Sequence, residues 1–493
     1  MGEKDDIIRR GRFEAPQDRE AAAFLSSVDQ DRRMAAADIW VDKAHILMLW
    51  RQGLIADDHA KKLLDELDSI ARDLEKLSSN GYEDIHLMIE TELIQRLGED
   101  IGGRIHTGRS RNDEVATCLR IVLRDEILEL VGDLCELEQL LLDMSRRHTK
   151  TVMPAYTHLQ RAQPTTLAHH LLAHCEALLR DAGRLVDCYR RVDVCPLGAA
   201  AVATTSLPID PELTSELLGF AGTFRNSMDA VSSRDFLVEA LFCLSSVALS
   251  LSRMAEEIVL WSTSEFGFLS LSDEFSSTSS IMPQKRNPDV AELIRARASS
   301  VLGSLVSAMT ICKSLPFSYN RDLQEATPHL WAGLDLVKAM VNVMRGIVSS
   351  AKVDEGALRR AAARGGLWAT DLADLLVTLE GLPFRTAHSI VAEIAKDGLH
   401  DLDAQTLKRR VREAAERVAG RPIEIPTDEL SRLLDLGYCV EARGIRGGPA
   451  PRSVEKAIEE VSAEVSEVLR WRTERIRAID DARRKVATMQ AEI

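Results

Sequence analysis

Thr278 to Asp289, reading TSSIMPQKRNPD, sets two serines, a lysine and an arginine immediately before a marked helix start. Asn287 suits the N-cap, Pro288 the first helical position and Asp289 the positive helix end. Ser279, Ser280, Lys285 and Asn287 therefore gather where anions bind well. SLSDEFSSTSS alone reads equally as a solvated linker, but the run from Met282 to Asn287 is too varied for a spacer.

Three further segments have similar character. RIHTGRSRNDEVATCLR, Arg104 to Arg120, leads a basic loop into a long amphipathic run. Thr107, Ser110 and Asn112 offer neutral donors there, and Arg109 and Arg111 offer planar donors suited to carboxylates; an ordinary capped helix fits the same residues. MPAYTHLQRAQPTTLAHH, Met153 to His170, places Thr157 and His158 between two prolines. An imidazole there serves in proton transfer or as a hydrogen-bonded structural group. SLPFSYNRDLQEATPHLW, Ser314 to Trp331, clusters Tyr319, Asn320, Arg321, Asp322 and Gln324 between two helical runs, as a specificity loop or an ordinary connection.

Long helices must carry these loops. From Val115 to Met144, apolar residues recur in steps of three and four, and similar runs cover Thr166–Val192, Ser233–Phe268, Val290–Ser314 and Pro328–Ser350. Such lengths with short connections predict a bundle, completed by oligomerisation where one chain cannot cover every stripe. Before Arg109 the helices shorten, with a polar break near Asn80; beyond about residue 360, Gly and Pro punctuate short helices. The expected division is 1–108, 109–360 and 361–493. With 4% aromatic and 45% hydrophobic residues among 493, the fold is read as all-α.

A net charge of −15 argues against a general nucleic-acid or anionic-membrane binder. No apolar run is read as membrane-spanning, and MGEKDDIIRRGRF lacks the hydrophobic core of a secretory signal, so a cytoplasmic location is expected. Eight scattered cysteines without a CxxC pair read as reduced core residues. His170 and His174 lie one turn apart, but with no second ligand cluster in the sequence no metal is expected.

The segment SSIMPQKRNPD resembles the signature of the fumarase/aspartase superfamily. HTGRSRND, YTHLQRAQP and YNRDLQE, with ATDLADLLV and LPFRTAH further on, make the chain similar to the argininosuccinate lyase branch over nearly its whole length. The resemblance implies a three-domain all-α fold around a long-helix bundle. It also implies reversible, cofactor-free β-elimination of argininosuccinate to arginine and fumarate, by a homotetramer whose active sites combine segments of three subunits.

Matched residue by residue, the resemblance gives Ser279 and His158 the base and acid roles, read here as Ser279 the base and His158 the proton donor, with the reverse assignment left open. Lys285 would stabilise charge, and Glu292 would pair with His158. Ser27, Arg111, Asn112, Thr157, Asn287, Tyr319 and Gln324 would bind substrate. Three departures stand out. Thr327 replaces the usual lysine after DLQE, with Arg321 a candidate substitute; Thr278 replaces a glycine before the loop serines; and Ala199 to Ala201 replace the usual GSGA. Two other readings stay open: a related lyase releasing fumarate from another N-substituted aspartate, and a non-catalytic, crystallin-like protein of the same architecture.

Overall fold

The computed structural model describes residues 17–74, 81–400 and 402–493; the polar break near Asn80 and the segment MGEKDDIIRRGRF lie outside them. After two short helical segments, Arg19–Leu25 and Val28–Asp31, come three longer helices: α1 (Ala35–Arg51), α2 (Asp57–Asp73) and α3 (Ile85–Leu97). The long helices follow: α4 (Arg111–Arg147), α5 (Leu167–Val192), α6 (Asp235–Trp261), α7 (Asp289–Cys312) and α8 (Ala326–Ser350). Five short helices run from α9 (Ala369–Glu380) through α10 (Phe384–Ala395), α11 (Ala404–Ala419) and α12 (Thr427–Leu434) to α13 (Leu436–Ala442), and α14 (Pro451–Ala491) completes the series.

Local sequence explains the start of α4. The Ser110 side chain caps it, Asp113 completes a capping box, and Asp113 and Glu114 fill the first turn while Arg146 and Arg147 occupy the last. Its buried stripe packs on α5, α8 and α14, while α6 packs on α5, α7 and α8. Helix α6 is long and apolar enough to cross a membrane by length and composition, which departs from the sequence expectation. Over half of its most apolar window is buried in the fold, as the position of a bundle-core helix requires.

The apolar cores divide the chain differently from the expected boundaries. Residues from α1 to α8 share one core, and Val454, Ile458, Val461, Val465, Ile479 and Val486 of α14 belong to it. A second core, from Trp368 to Cys439, holds α9 to α13 together. The segment 361–493 is thus split: α14 leaves the small unit because its apolar stripe fits the surface of α4 and α5.

Strands are few and short among the described residues. β1 (Val152–Thr157) and β2 (Gln160–Thr166) form a hairpin closed by only His158 and Leu159, which both take left-handed backbone, φ 56° and 57°. A two-residue turn of this hand suits the twist of the flanking strands but usually selects Asn-Gly, so His158 is held in a costly conformation. β3 (Leu269–Ser270) pairs with β6 (Lys352–Val353), and β4 (Ser277–Thr278) with β5 (Arg286–Asn287). Asn287 is therefore not the N-cap expected from sequence: it pairs with Ser277, and α7 begins at Asp289 behind Pro288.

Candidate functional site

The start of α4, the loop before α8 and the segment around Ser27 enclose a cavity of about 350 Å³. Ser27, Arg111, Asn112, Tyr319 and Gln324 all line it, so one cleft gathers five of the seven expected substrate contacts. Buried Ser27 donates to Asp31 at 2.6 Å, and its N–H donates to the Glu83 carbonyl at 2.8 Å. Asn112 donates to the Ala201 carbonyl at 3.0 Å, and Gln324 to that of Leu25 at 3.4 Å. Arg111 pairs with Asp84 and lies 3.7 Å from Glu83.

Thr327, where the sequence resemblance leads to an expected lysine, is also in this wall, and so is Arg321, paired with Glu83. Two further wall residues were not singled out from sequence. Arg234 is nearly fully buried and donates to the carbonyls of Ser233 at 2.8 Å and Val231 at 3.4 Å. Among the described residues it has no carboxylate within ion-pair distance, so burial depresses its pKa, with Tyr319 opposing. His86 has Nδ1 2.8 Å from Asp38. Burial disfavours its charge, but Asp38 and then Glu114 outweigh this and hold it up to about 10, an imidazolium at neutral pH. Burial raises the adjacent Asp31 to about 6, with His86 opposing. These two residues reach the cleft from separate elements, and no motif in the sequence joins them.

Arg109 does something other than the expected anion recognition. Its side chain is buried against Asp42 at 2.6 Å and Glu114 at 3.0 Å, so it locks the loop before α4 to α1. Asp113 performs a comparable service for the alanine-rich segment: its carboxylate accepts from the backbone N–H groups of Ser110, Gly198 and Ala200 at 3.0, 2.9 and 2.7 Å. Ala200 is left-handed at φ 52°, a conformation better suited to the glycine-rich sequence usual there.

The remaining expected residues lie in two other places. Thr157 and His158 are exposed at the β1–β2 tip, and His158 borders a separate cavity of about 580 Å³. Ser279 and Lys285 lie in the loop between β4 and β5, and Asn287 in β5. The base of this loop is fixed by bonds from Ser277 to Asp289 and from Arg286 to the Leu271 carbonyl, while residues 280–286 are exposed. Ser279 Oγ accepts from the N–H groups of Ile281 at 3.3 Å and Met282 at 3.1 Å. Two donors aimed at one hydroxyl oxygen favour negative charge on it.

Glu292 is exposed on α7 and forms no ion pair with His158 within the described chain. The hairpin carries His158 outward at its tip, whereas Glu292 faces outward from a bundle helix. Within one chain the expected site is thus three separate groups, each partly complete.

Residues 11–303 match a lyase family model, and residues 367–441 match the argininosuccinate lyase C-terminal model. An argininosuccinate lyase from Methanosarcina barkeri is 48% identical over 464 residues, 93% of each chain. One from Methanoculleus marisnigri is 49% identical over 459 residues, again 93% of each. A crystal structure of EDDS lyase in complex with formate superposes with a TM-score of 0.87 at 31% identity, over 96% of this chain and 94% of that one.

Proposed function

The chain belongs to the argininosuccinate lyase family of the fumarase/aspartase superfamily, and on that premise we propose how its residues cleave argininosuccinate reversibly to arginine and fumarate. The observation that carries the reading is the convergence of Ser27, Arg111, Asn112, Tyr319 and Gln324 on one cleft. Their hydroxyl, amide and guanidinium groups suit the amino-acid end of the substrate. Arg234 and Arg321 supply positive charge in place of the family lysine.

Ser279, as alkoxide, takes the proton from the carbon beside a succinyl carboxylate. The resulting electron pair spreads into that carboxylate, the carbon–nitrogen bond breaks, and the departing guanidine nitrogen takes a proton from His158. The two N–H groups at Ser279 Oγ and the nearby Lys285 cation favour the alkoxide, and donors reaching the doubly charged carboxylate lower the barrier only if they bind it better than the ground state. Thr157 and Asn287 complete the substrate contacts. Glu292 sets the protonation of His158 across a subunit boundary. No cofactor enters the scheme.

A homotetramer brings the three groups together, each from a different chain. Exposed apolar side chains support this arrangement: Phe242 and Leu249 on α6, and Leu302, Val306 and Met309 on α7, recur at helical spacing on open bundle faces. The enzyme acts in the cytoplasm, where its eight free cysteines stay reduced.

Thr327 favours one second reading, a lyase that releases fumarate from a different N-substituted aspartate. Purified protein offered argininosuccinate, adenylosuccinate, malate, aspartate and EDDS separately, with fumarate followed, distinguishes the two. Arginine and fumarate from argininosuccinate alone are expected. A folded tetramer that leaves argininosuccinate intact overturns the proposal, and turnover of another compound instead selects the second reading.

A further inference from the structure

Helices α5 and α6 bring three ligand-type side chains together beside the β1–β2 hairpin. His170 and His174 are one turn apart on α5, so both imidazoles present themselves on one face. The Nε2 atoms of both lie 2.7 Å from the same Oε2 of Glu257 on α6. The three ligand atoms fall within 4.8 Å of one another. Trp261 packs edge-on against His170 at 4.9 Å between ring centres, which limits rotation of that ring.

Two imidazoles sharing a carboxylate is also a complete hydrogen-bond network, so spacing and surroundings must decide. A zinc-class ion takes His nitrogen and carboxylate oxygen at roughly 2.0–2.2 Å, which separates neighbouring ligand atoms by about 2.9–3.4 Å at angles between 90° and tetrahedral. Each observed Nε2–Oε2 separation of 2.7 Å has to open by only a few tenths of an ångström, and the two Nε2 atoms lie within 4.8 Å of each other.

The surroundings are asymmetric. On one side Leu141, Met144, Leu171, Met254 and Ile258 form an apolar wall around His174 and Glu257. On the other, His170 and Glu257 border the cavity of about 580 Å³ that also contains His158. All three ligands are partly exposed, at 26%, 14% and 34%, so an ion has an entry path and an open coordination position. Two other groupings with ligand spacing share buried Asp38, and protein cations already serve them: Arg109 on Asp42 and Glu114, and the His86 imidazolium on Asp38 itself.

We propose that His170, His174 and Glu257 form a binding site for one divalent transition-metal ion of the zinc class, which ties α5 to α6 below the hairpin bearing His158. The nitrogen-rich set selects Zn2+, Co2+ or Ni2+ over Mg2+. The site is independent of which substrate the cleft accepts.

Chelator-stripped full-length protein is titrated with Co2+, followed by visible absorption and by metal analysis after gel filtration, with Zn2+ as competitor and Mg2+ as control. The expected result is about one Co2+ per chain, displaced by Zn2+ and indifferent to Mg2+. Glu257→Gln, His170→Ala and His174→Ala each weaken binding by about 100-fold or more, beyond what loss of an outer-shell partner costs. His169→Ala, whose ring is engaged by Thr165 and the Gly447 carbonyl, retains it. Glu257→Gln preserves shape and decides the matter should a histidine variant fail to fold by circular dichroism. Absence of saturable Co2+ uptake, or uptake undiminished in folded Glu257→Gln, overturns the proposal.

Discussion

Replacing Arg234 by methionine should weaken substrate capture while leaving the fold as stable as before, or more so. The guanidinium is nearly fully buried, has two backbone carbonyls as acceptors, leaves Nε without a partner and finds no carboxylate among the described residues. The two carbonyl bonds are worth about 1 kcal/mol each net, whereas burying a charge of this kind costs several kcal/mol that a methionine does not incur. Stability is therefore expected to change by between about 0 and +3 kcal/mol. A charge-assisted contact to a substrate carboxylate is worth about 1.5–3 kcal/mol, or roughly 10- to 150-fold in kcat/KM. The loss should fall mainly on KM, because the same contact exists before and during the reaction. Fumarate release from argininosuccinate measures the first effect, and urea denaturation of the same preparation the second. A variant with kcat/KM within about threefold of the parent and a lowered denaturation midpoint would refute the reasoning, making Arg234 a structural residue.

Other consequences are equally measurable. Ser279→Ala should lower kcat by about 10²–10⁴ with assembly intact by gel filtration, and near-normal turnover would remove Ser279 from the proton transfer. Glu138 is fully buried, neither carboxylate oxygen has a hydrogen-bond partner among the described residues, and burial, aided by Asp181, pushes its pKa up to about 8. The folded state thus holds a proton that the unfolded state releases near 4.5, so this contribution is complete at low pH and is lost as pH rises through about 8. It amounts to at most roughly 5 kcal/mol, and Glu138→Gln should flatten the decline of urea midpoints between about pH 5 and 9; parallel curves would contradict this. Asp113→Ala leaves three backbone donors without their carboxylate and should cost about 3–5 kcal/mol by denaturation, with KM raised because Asn112 bonds the same 198–201 segment. Arg321→Ala should raise KM about tenfold or more, and Thr327→Ala much less; equal effects would dissociate Arg321 from the missing lysine.

The long helices were legible because each carries an apolar stripe of helical period: the run read from Val115 to Met144 lies inside a helix spanning Arg111–Arg147, and Thr166–Val192 agrees almost to the residue. Asn287 was misplaced because a good N-cap was pre-empted by a strand pairing with Ser277, ten positions earlier, which propensity does not register. The final helix was assigned to the small unit by proximity in sequence, although its packing partner lies more than three hundred residues earlier. The candidate cleft residues were reached through motif resemblance. Arg109 and Arg111 look alike in sequence, yet Asp42 takes one inward while the other faces the cleft. His86 and Glu257 lay beyond reach because their partners sit on other helices, and Arg234 because the cleft it joins is lined by residues from distant segments.

The return of α14 to the bundle also bears on how the chain is made. Arg472 bonds the Leu128 carbonyl across 344 residues, and Arg483 reaches Asp125 across 358. Ribosomes add roughly 5–20 residues per second, so α4 and α5 wait on the order of tens of seconds for the helix that covers them. During that interval the unit from Trp368 to Cys439, built from neighbours in sequence, can close on its own. The apolar surface of α4 and α5 that α14 covers in the finished fold stays exposed until that helix emerges.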